Sequence, residues 1–357
     1  MIAFAGPTRA APMDPSPERL VLQPPGLPAG QTCQSLAANP NGAVQLGIQP
    51  GAAGCRPNNA AFQNMVSELG MAIAPSAFYP ARTTGLSGIV LTLEANWTRL
   101  NSDTSVQNAD GSTTKYWHHG TRGARDKSTN DFRSVNDGPD SVLQVYSLKA
   151  RKGLPFGLEL VGSLGYIANT TLIVGGGDLR WAFLEGFRTG PMGIIPDVSV
   201  GGGVRSLAGS TKFYLTVASF DIKVSKPVPL ADSATLTPTL GYQRLFIYGD
   251  SAIMDLTPNV DALQQCGYTG NDPQTGAPVC KNKLSNGADN NGDFNNNATF
   301  DRVRVHRHRA LASLHYRYQM VFLGAQFGWD LTDPKDENPG IVGPRQWTLS
   351  LEGGTHF

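Results

Sequence analysis

From residue 89 onward this 357-residue chain alternates apolar and polar side chains with a period of two, and that rhythm leaves few folds open to it. In the segment 89–98, Ile89, Leu91, Leu93, Ala95 and Trp97 oppose Val90, Thr92, Glu94, Asn96 and Thr98. An extended strand turns two such sets to opposite faces. The pattern returns at 156–169, 178–187, 194–205, 235–248, 321–332 and 346–357, and less cleanly at 141–153, 213–226 and 309–318.

A soluble antiparallel barrel or sandwich also alternates, but its apolar face makes a core of Ile, Val and Leu. Here the apolar face carries aromatic residues near strand ends: Trp97, Phe156, Tyr166, Phe187, Tyr248, Tyr318, Trp329 and Trp347. Membrane interfaces hold aromatic girdles at such heights. The opposite face carries Glu94, Lys149, Arg151, Glu159, Asp178, Arg180, Asp197, Arg205, Asp221, Lys223, His315, Arg317, Asp330 and Glu352. So many charges do not fit a soluble core. The reading is all-β: an antiparallel transmembrane β-barrel of about 10 strands, with 12 or 8 as the neighbouring even counts, over 87–357, and with these charges lining its lumen. Arg244 falls on the apolar parity, so it either snorkels near an interface or marks a bulge.

Composition narrows the alternatives. Only 16% of residues are charged, against roughly 25% in a typical soluble domain, and the net charge of +1 gives no electrostatic footprint for nucleic acid. The 41 glycines follow no period, which excludes collagen, and 40% hydrophobic residues exclude disorder. No stretch approaches the ~18 apolar residues of a membrane-spanning helix.

The last segment is Gln346-Trp347-Thr348-Leu349-Ser350-Leu351-Glu352-Gly353-Gly354-Thr355-His356-Phe357. It ends on an aromatic residue of the apolar face. This resembles the C-terminal assembly signal of bacterial outer-membrane β-barrel proteins, with Trp347, Leu349, Leu351 and Phe357 at the signal positions. The resemblance spans about a dozen residues. It implies a place in the outer membrane, with lipid, lipopolysaccharide and the barrel assembly machinery as partners and other envelope proteins as further ones.

In such a barrel, connections on the periplasmic side are short and the others are free to be long. Lys152–Pro155, Arg188–Gly193, Pro227–Ala234 and Gln319-Met320 form a short set, most of it containing Pro or Gly; 102–140, 251–300 and 333–345 are long and polar. An even strand count then puts both ends of the barrel, and both termini, in the periplasm.

Export requires a leader. Met1–Ala5 ends in Ala3-Phe4-Ala5, which fits the remnant of a signal peptide whose true start lies upstream; chance Ala content is the other reading. Residues 6–86 form a Pro- and Gly-rich arm with one short amphipathic helix. Phe62, Met65, Val66, Leu69 and Ile73 follow helical spacing behind Asn58 as the cap. This arm either plugs the lumen or packs on the periplasmic side. Tyr79-Pro80-Ala81 resembles the Asn-Pro-Ala plug of FadL-type fatty-acid channels, with Tyr79 standing where that motif has Asn.

Four cysteines fall into two local pairs, Cys33/Cys55 and Cys266/Cys280. An even count in an oxidising compartment favours disulfides, and local pairing is preferred because the other two connectivities link opposite sides of the membrane. Asp289, Asn291 and Asp293 in the long loop form a hard-cation ligand set, although the EF-hand pattern fails: its Gly is two places early and no Glu closes it. His118-His119 and His306-Arg307-His308 could bind Zn²⁺ or Cu²⁺ at the surface, but no matching carboxylate or Cys stands near them in the sequence to complete a site; the run Arg302–Arg309 would meet anionic headgroups on an outer rim or form a solvated hairpin arm.

Ser313 and His315 share a face, but their spacing is no catalytic motif, and neither a nucleophile elbow nor a phosphate loop is present. No enzyme and no cofactor is expected. Two functions remain: a narrow channel or transport barrel for small solutes, and a non-conducting envelope barrel that docks partners through its arm and loops.

Overall fold

Every strand of the barrel pairs with its neighbour in sequence, and the last pairs with the first. In the computed structural model, which describes residues 11–22, 56–101, 105–107, 113–115, 121, 139–186, 194–231, 233–255, 262–283, 287, 297–333 and 345–357, the strands are β1 (Ile89–Arg99), β2 (Val142–Gly153), β3 (Leu158–Ile167), β4 (Ile173–Leu184), β5 (Asp197–Ala208), β6 (Phe213–Ser225), β7 (Ala234–Ser251), β8 (Val303–Tyr318), β9 (Val321–Asp330) and β10 (Trp347–His356). All ten pairings are antiparallel, with Thr348 facing Thr98 where β10 meets β1. Closure leaves no strand edge unpaired, as a sheet standing in hydrocarbon requires.

Alternation sets the outer surface. Leu93, Leu148, Leu164, Leu240 and Leu323 are exposed, with aromatic rings above and below them. Toward one rim, Phe327 stacks with Trp329 and Trp347 at 6.2 and 6.4 Å. Toward the other, Phe156, Tyr318 and Phe357 are exposed. That second rim, here the turn rim, carries the connections after β2, β4, β6 and β8. It also joins the barrel's two ends, since Ile89 and Phe357 exchange backbone hydrogen bonds of 3.2 and 2.8 Å. The opposite, loop rim carries the long connections, yet those after β3 and β5 are as tight as the turns.

Boundaries differ from the alternation in several places, three of which change the reading. β4 begins at Ile173 rather than 178, through the glycines 175–177, which have no side chain to signal a face. β7 runs on to Ser251. β8 begins at Val303 rather than 309, so the arginine-rich run is strand and not an outer arm. Arg244 needs no bulge: β7 pairs with β6 and β8 in unbroken register, and Arg244 is exposed outside with its guanidinium 5.3 Å from the Phe246 ring.

Helix α1 (Asn59–Ile73) stands inside the barrel. Asn58 caps it, its side-chain oxygen accepting from the Ala61 amide at 3.0 Å, and Pro75 follows its end. The helix starts at the loop rim, where Asn59 bonds Asp301 and Phe62 stacks on Phe300 at 4.4 Å, and runs downward along β7. Ala11–Leu22 lies at the loop rim too: Asp14 accepts from the Thr171 amide at 2.6 Å and Glu18 pairs with Lys212. This differs from an arm kept on the same side as the C-terminus. The chain instead enters at the loop rim, descends the lumen and leaves at the turn rim to begin β1.

In the long connection after β7, Cys266 and Cys280 form a disulfide across a small hairpin, Cα atoms 4.8 Å apart. There the amides of Gln274 and Thr275 hold the Asp272 carboxyl below the usual range. Cys33, Cys55, Asp289, Asn291, Asp293, His118 and His119 lie outside the described residues.

The close approach of α1 to the wall depends on two glycines. A Cβ on Gly70 would stand 2.5 Å from Ile247, and one on Gly249 would stand 2.5 Å from Val66. Gly249→Val is expected to lower stability by about 1–3 kcal/mol through overpacking. The urea midpoint of the folded barrel in detergent measures it, and an unchanged midpoint would contradict this seating of α1.

The filled lumen as candidate functional site

Strands place an inward side chain at every second residue, and the lumen they make has two chemical zones. Toward the loop rim it is apolar. Leu143 and Val145 of β2, Leu215 and Val217 of β6, and Leu245 and Ile247 of β7 close on Phe62, Met65, Val66 and Leu69 of the helix. Glu68 of α1 is bonded as well, accepting from the Asn101 amide and side chain at 3.0 and 2.7 Å.

Below α1 the lumen becomes charged, and the irregular strap 75–84 runs through it. The strap's backbone polar groups have no sheet to join, so, apart from the Tyr79 amide on the Ala77 carbonyl at 3.1 Å, side chains supply the partners they have among the described residues. The Pro75 carbonyl accepts from Arg309 and, at 3.1 Å, from Gln243. Ser76 donates to Glu94 at 2.9 Å, its hydroxyl accepts from Lys149, and its carbonyl accepts from Gln326 at 2.8 Å. Lys223 donates to the Ala77 carbonyl at 3.0 Å.

Arg180 reaches furthest. One nitrogen of its guanidinium pairs with Glu159 at 2.9 Å, while another donates to the carbonyls of Pro80, Ala81 and Arg82 at 2.6, 2.8 and 3.1 Å. The Tyr79 ring lies under this group, 4.2 Å from the Arg180 guanidinium and 3.3 Å from the Lys223 ammonium. Glu159 accepts from the Thr84 amide at 2.9 Å, and Glu185 from the Thr83 amide at 2.9 Å.

The remaining charges pair across the wall. Arg205 grips Asp178 with two bonds of 2.7 and 2.8 Å, a geometry available because Gly203 leaves the space a Cβ would fill. Asp330 binds Arg307, Asp221 lies 3.4 Å from Lys223, and His315 contacts Glu352 at 2.7 Å beside the Phe78 ring. Asp197 accepts from the Gly186 amide at 2.9 Å. Thus Glu94, Lys149, Arg151, Glu159, Asp178, Arg180, Asp197, Arg205, Asp221, Lys223, His315, Asp330 and Glu352 are buried inside, and Arg317 is exposed at the turn rim.

The period-two reading puts Gln243 and Gln326 on the inward face without singling them out, and it misses Arg307 and Arg309, although both also face inward. Arg307 and Arg309 were obscured because β8 carries polar groups on both faces there. Arg302 and Arg304 remain outside, so only part of that run can meet an anionic surface. His306 packs edge-on to Phe246 and His308 contacts Tyr242. Among the described residues no group of three or more His, Cys, Asp or Glu is arranged to hold a metal. Leu349 and Leu351 lie on the outer face, Trp347 is half-buried, and Phe357 is exposed at the turn rim.

Removing one partner of a buried ion pair strands the other charge, which typically costs 3–5 kcal/mol, whereas replacing both with apolar groups is much milder. Arg180→Met is therefore expected to destabilise the barrel by about 3–5 kcal/mol, and adding Glu159→Leu should recover part of that loss. Urea unfolding in detergent checks both, and strict additivity of the two effects would contradict the pairing.

No family model matches this chain, and no curated protein sequence matches it. Solved structures similar to it include Ail, the attachment invasion locus protein of Yersinia pestis (10% identity, TM-score 0.23, covering 76% of this chain and 99% of that one). The N-terminal β-barrel domain of Pseudomonas aeruginosa OprF is 9% identical, with TM-score 0.25 and coverage of 76% and 99%. The translocator domain of the autotransporter NalP from Neisseria meningitidis is 11% identical, with TM-score 0.28 and coverage of 77% and 89%. These likenesses carry no argument about chemistry; the barrel architecture rests on the strand pairing of this chain.

Proposed function

We propose that this chain is an integral outer-membrane barrel, closed at rest by its own residues 59–84, that passes small solutes when the strap 75–84 is displaced. The observation that carries this reading is the strap itself. It is irregular, with a tight bend at Ala77, it lies along the lumen, and its backbone is held largely by side chains of the wall rather than by a sheet. Each of those bonds can be exchanged for water, so release of the strap opens the charged zone without breaking a strand pairing. Permanent sealing would be simpler with apolar side chains, which the upper zone already uses.

The membrane assignment is supported by the belt of exposed leucines between aromatic rings, since water does not favour a closed ring of such surface. The orientation follows from loop length: the turn rim, with Ile89 and Phe357, faces the periplasm, and the loop rim faces outward. Lipopolysaccharide then surrounds the loop rim, and the assembly machinery engages β10 through Trp347, Leu349, Leu351 and Phe357.

Planar-bilayer conductance tests the reading. The full chain is expected to show no unitary steps, and the chain lacking 6–86 to show them. Absence of steps from the shortened chain, once its folding is confirmed by heat-modifiable gel mobility, would instead favour a non-conducting envelope barrel.

A further inference from the structure

Beneath the strap, at the turn rim, the lumen holds a chamber of about 730 Å³. Its volume falls within the range of small-molecule sites, roughly 300–1,000 Å³. The charges around it are segregated. Arg151 of β2, His356 of β10 and Arg317 of β8 stand on one arc of the wall; Glu185, just past β4, and Asp197 of β5 stand on the opposite arc. Arg82 of the strap adds a third guanidinium to the lining.

The carboxylate side is largely satisfied. Glu185 accepts from the Thr83 amide and hydroxyl, and Asp197 from the Gly186 amide, which leaves Asp197 Oδ2 without a partner. The cationic side is not. Arg151 is only 6% exposed, yet among the described residues its Nε is buried with no hydrogen-bond partner, and the nearest carboxylate oxygen, on Glu159, stands 3.9 Å away. Glu159 is already engaged by Arg180 and Thr84. Arg82 Nη1 is likewise buried without a partner. A buried guanidinium has five N–H donors and a strong demand for an anion.

Aromatic rings stand beside Arg151 within an otherwise mixed lining of polar and apolar residues. The guanidinium lies 5.9 Å from both the Tyr79 and the Phe322 rings, and Phe322 meets His356 edge-on at 5.2 Å. Met320, Pro227 and Phe357 complete the mouth. A simple inorganic anion would find charge here but would leave that surface wetted.

We propose that this chamber binds a small organic carboxylate with an apolar body. The carboxylate pairs with Arg151 and Arg317, and the body lies against Phe322 and Met320. The site belongs to the resting barrel, so it stands whether or not the strap ever moves.

Isothermal titration of the full chain in detergent micelles tests this with sodium benzoate, benzyl alcohol and inorganic phosphate as probes. Benzoate is expected to saturate at one site per barrel. Benzyl alcohol, lacking the charge, and phosphate, lacking the apolar body, should each bind at least about tenfold more weakly. Arg151→Gln should weaken benzoate by more than about tenfold. Arg317→Gln, at an exposed position where folding is not at stake, should weaken it by a few-fold to tenfold. Benzoate failing to saturate, or binding equally to the folded R317Q and R151Q chains, would overturn the proposal. Phosphate binding as tightly as benzoate would overturn the assigned ligand class.

Discussion

The grip of Arg180 on the strap is the interaction on which the interior depends. A guanidinium that is 1% exposed cannot stand alone in a medium of low polarity. Glu159 neutralises it through Nη1, and three consecutive backbone carbonyls accept from its Nη2. Those carbonyls belong to a segment with no sheet of its own. The wall's charge problem and the strap's hydrogen-bond problem are therefore solved by one another. Lys223, Arg309 and Gln326 repeat the solution higher up, each donating to a strap carbonyl.

The division of the lumen into two zones follows from what each part of the insert can offer. A helix satisfies its own backbone, so α1 needs only apolar walls, and the wall beside it is Leu, Ile and Val. An irregular segment leaves amides and carbonyls open, so the wall beside the strap is Arg, Lys, Glu and Gln. The change from one wall to the other coincides with Pro75, where the helix can no longer continue. Glycine takes part in both zones: Gly70 and Gly249 bring the helix close, and Gly203 makes room for the carboxylate of Asp178.

Much of this architecture is legible in the residues. At mid-height the outer face is dominated by apolar side chains, so Leu91, Leu93, Leu323 and Leu351 mark their strands plainly, and Asn58 with Phe62, Met65, Val66 and Leu69 marks the helix. The strands that alternate poorly do so for a physical reason. In β2 and β6 both faces are apolar near the loop rim, because Leu143, Val145, Phe213 and Leu215 face the helix rather than water. In β8 both faces are polar, because Arg307 and Arg309 point inward while Arg304 and His308 stand outside. Alternation reports the contrast between two environments, and it fades where the environments match. Apart from the plug-like Tyr79-Pro80-Ala81, residues 59–84 carry no mark of lying inside: a plug and a packed periplasmic arm need the same amphipathic helix, and only closure of the sheet around it distinguishes them.

The threaded path has a consequence for biogenesis. The segment from the loop rim to Ile89 passes through a ring sealed by hydrogen bonds between Thr98-bearing β1 and Thr348-bearing β10. A chain cannot be drawn through that ring once it is shut without dragging a sizeable polypeptide past Arg180 and Lys223. The insert must occupy its place while the sheet is still an open curved ribbon, and the final seam then forms around it. Insertion into the bilayer and acquisition of the internal stopper thus become a single event, in which the seam is the last bond made.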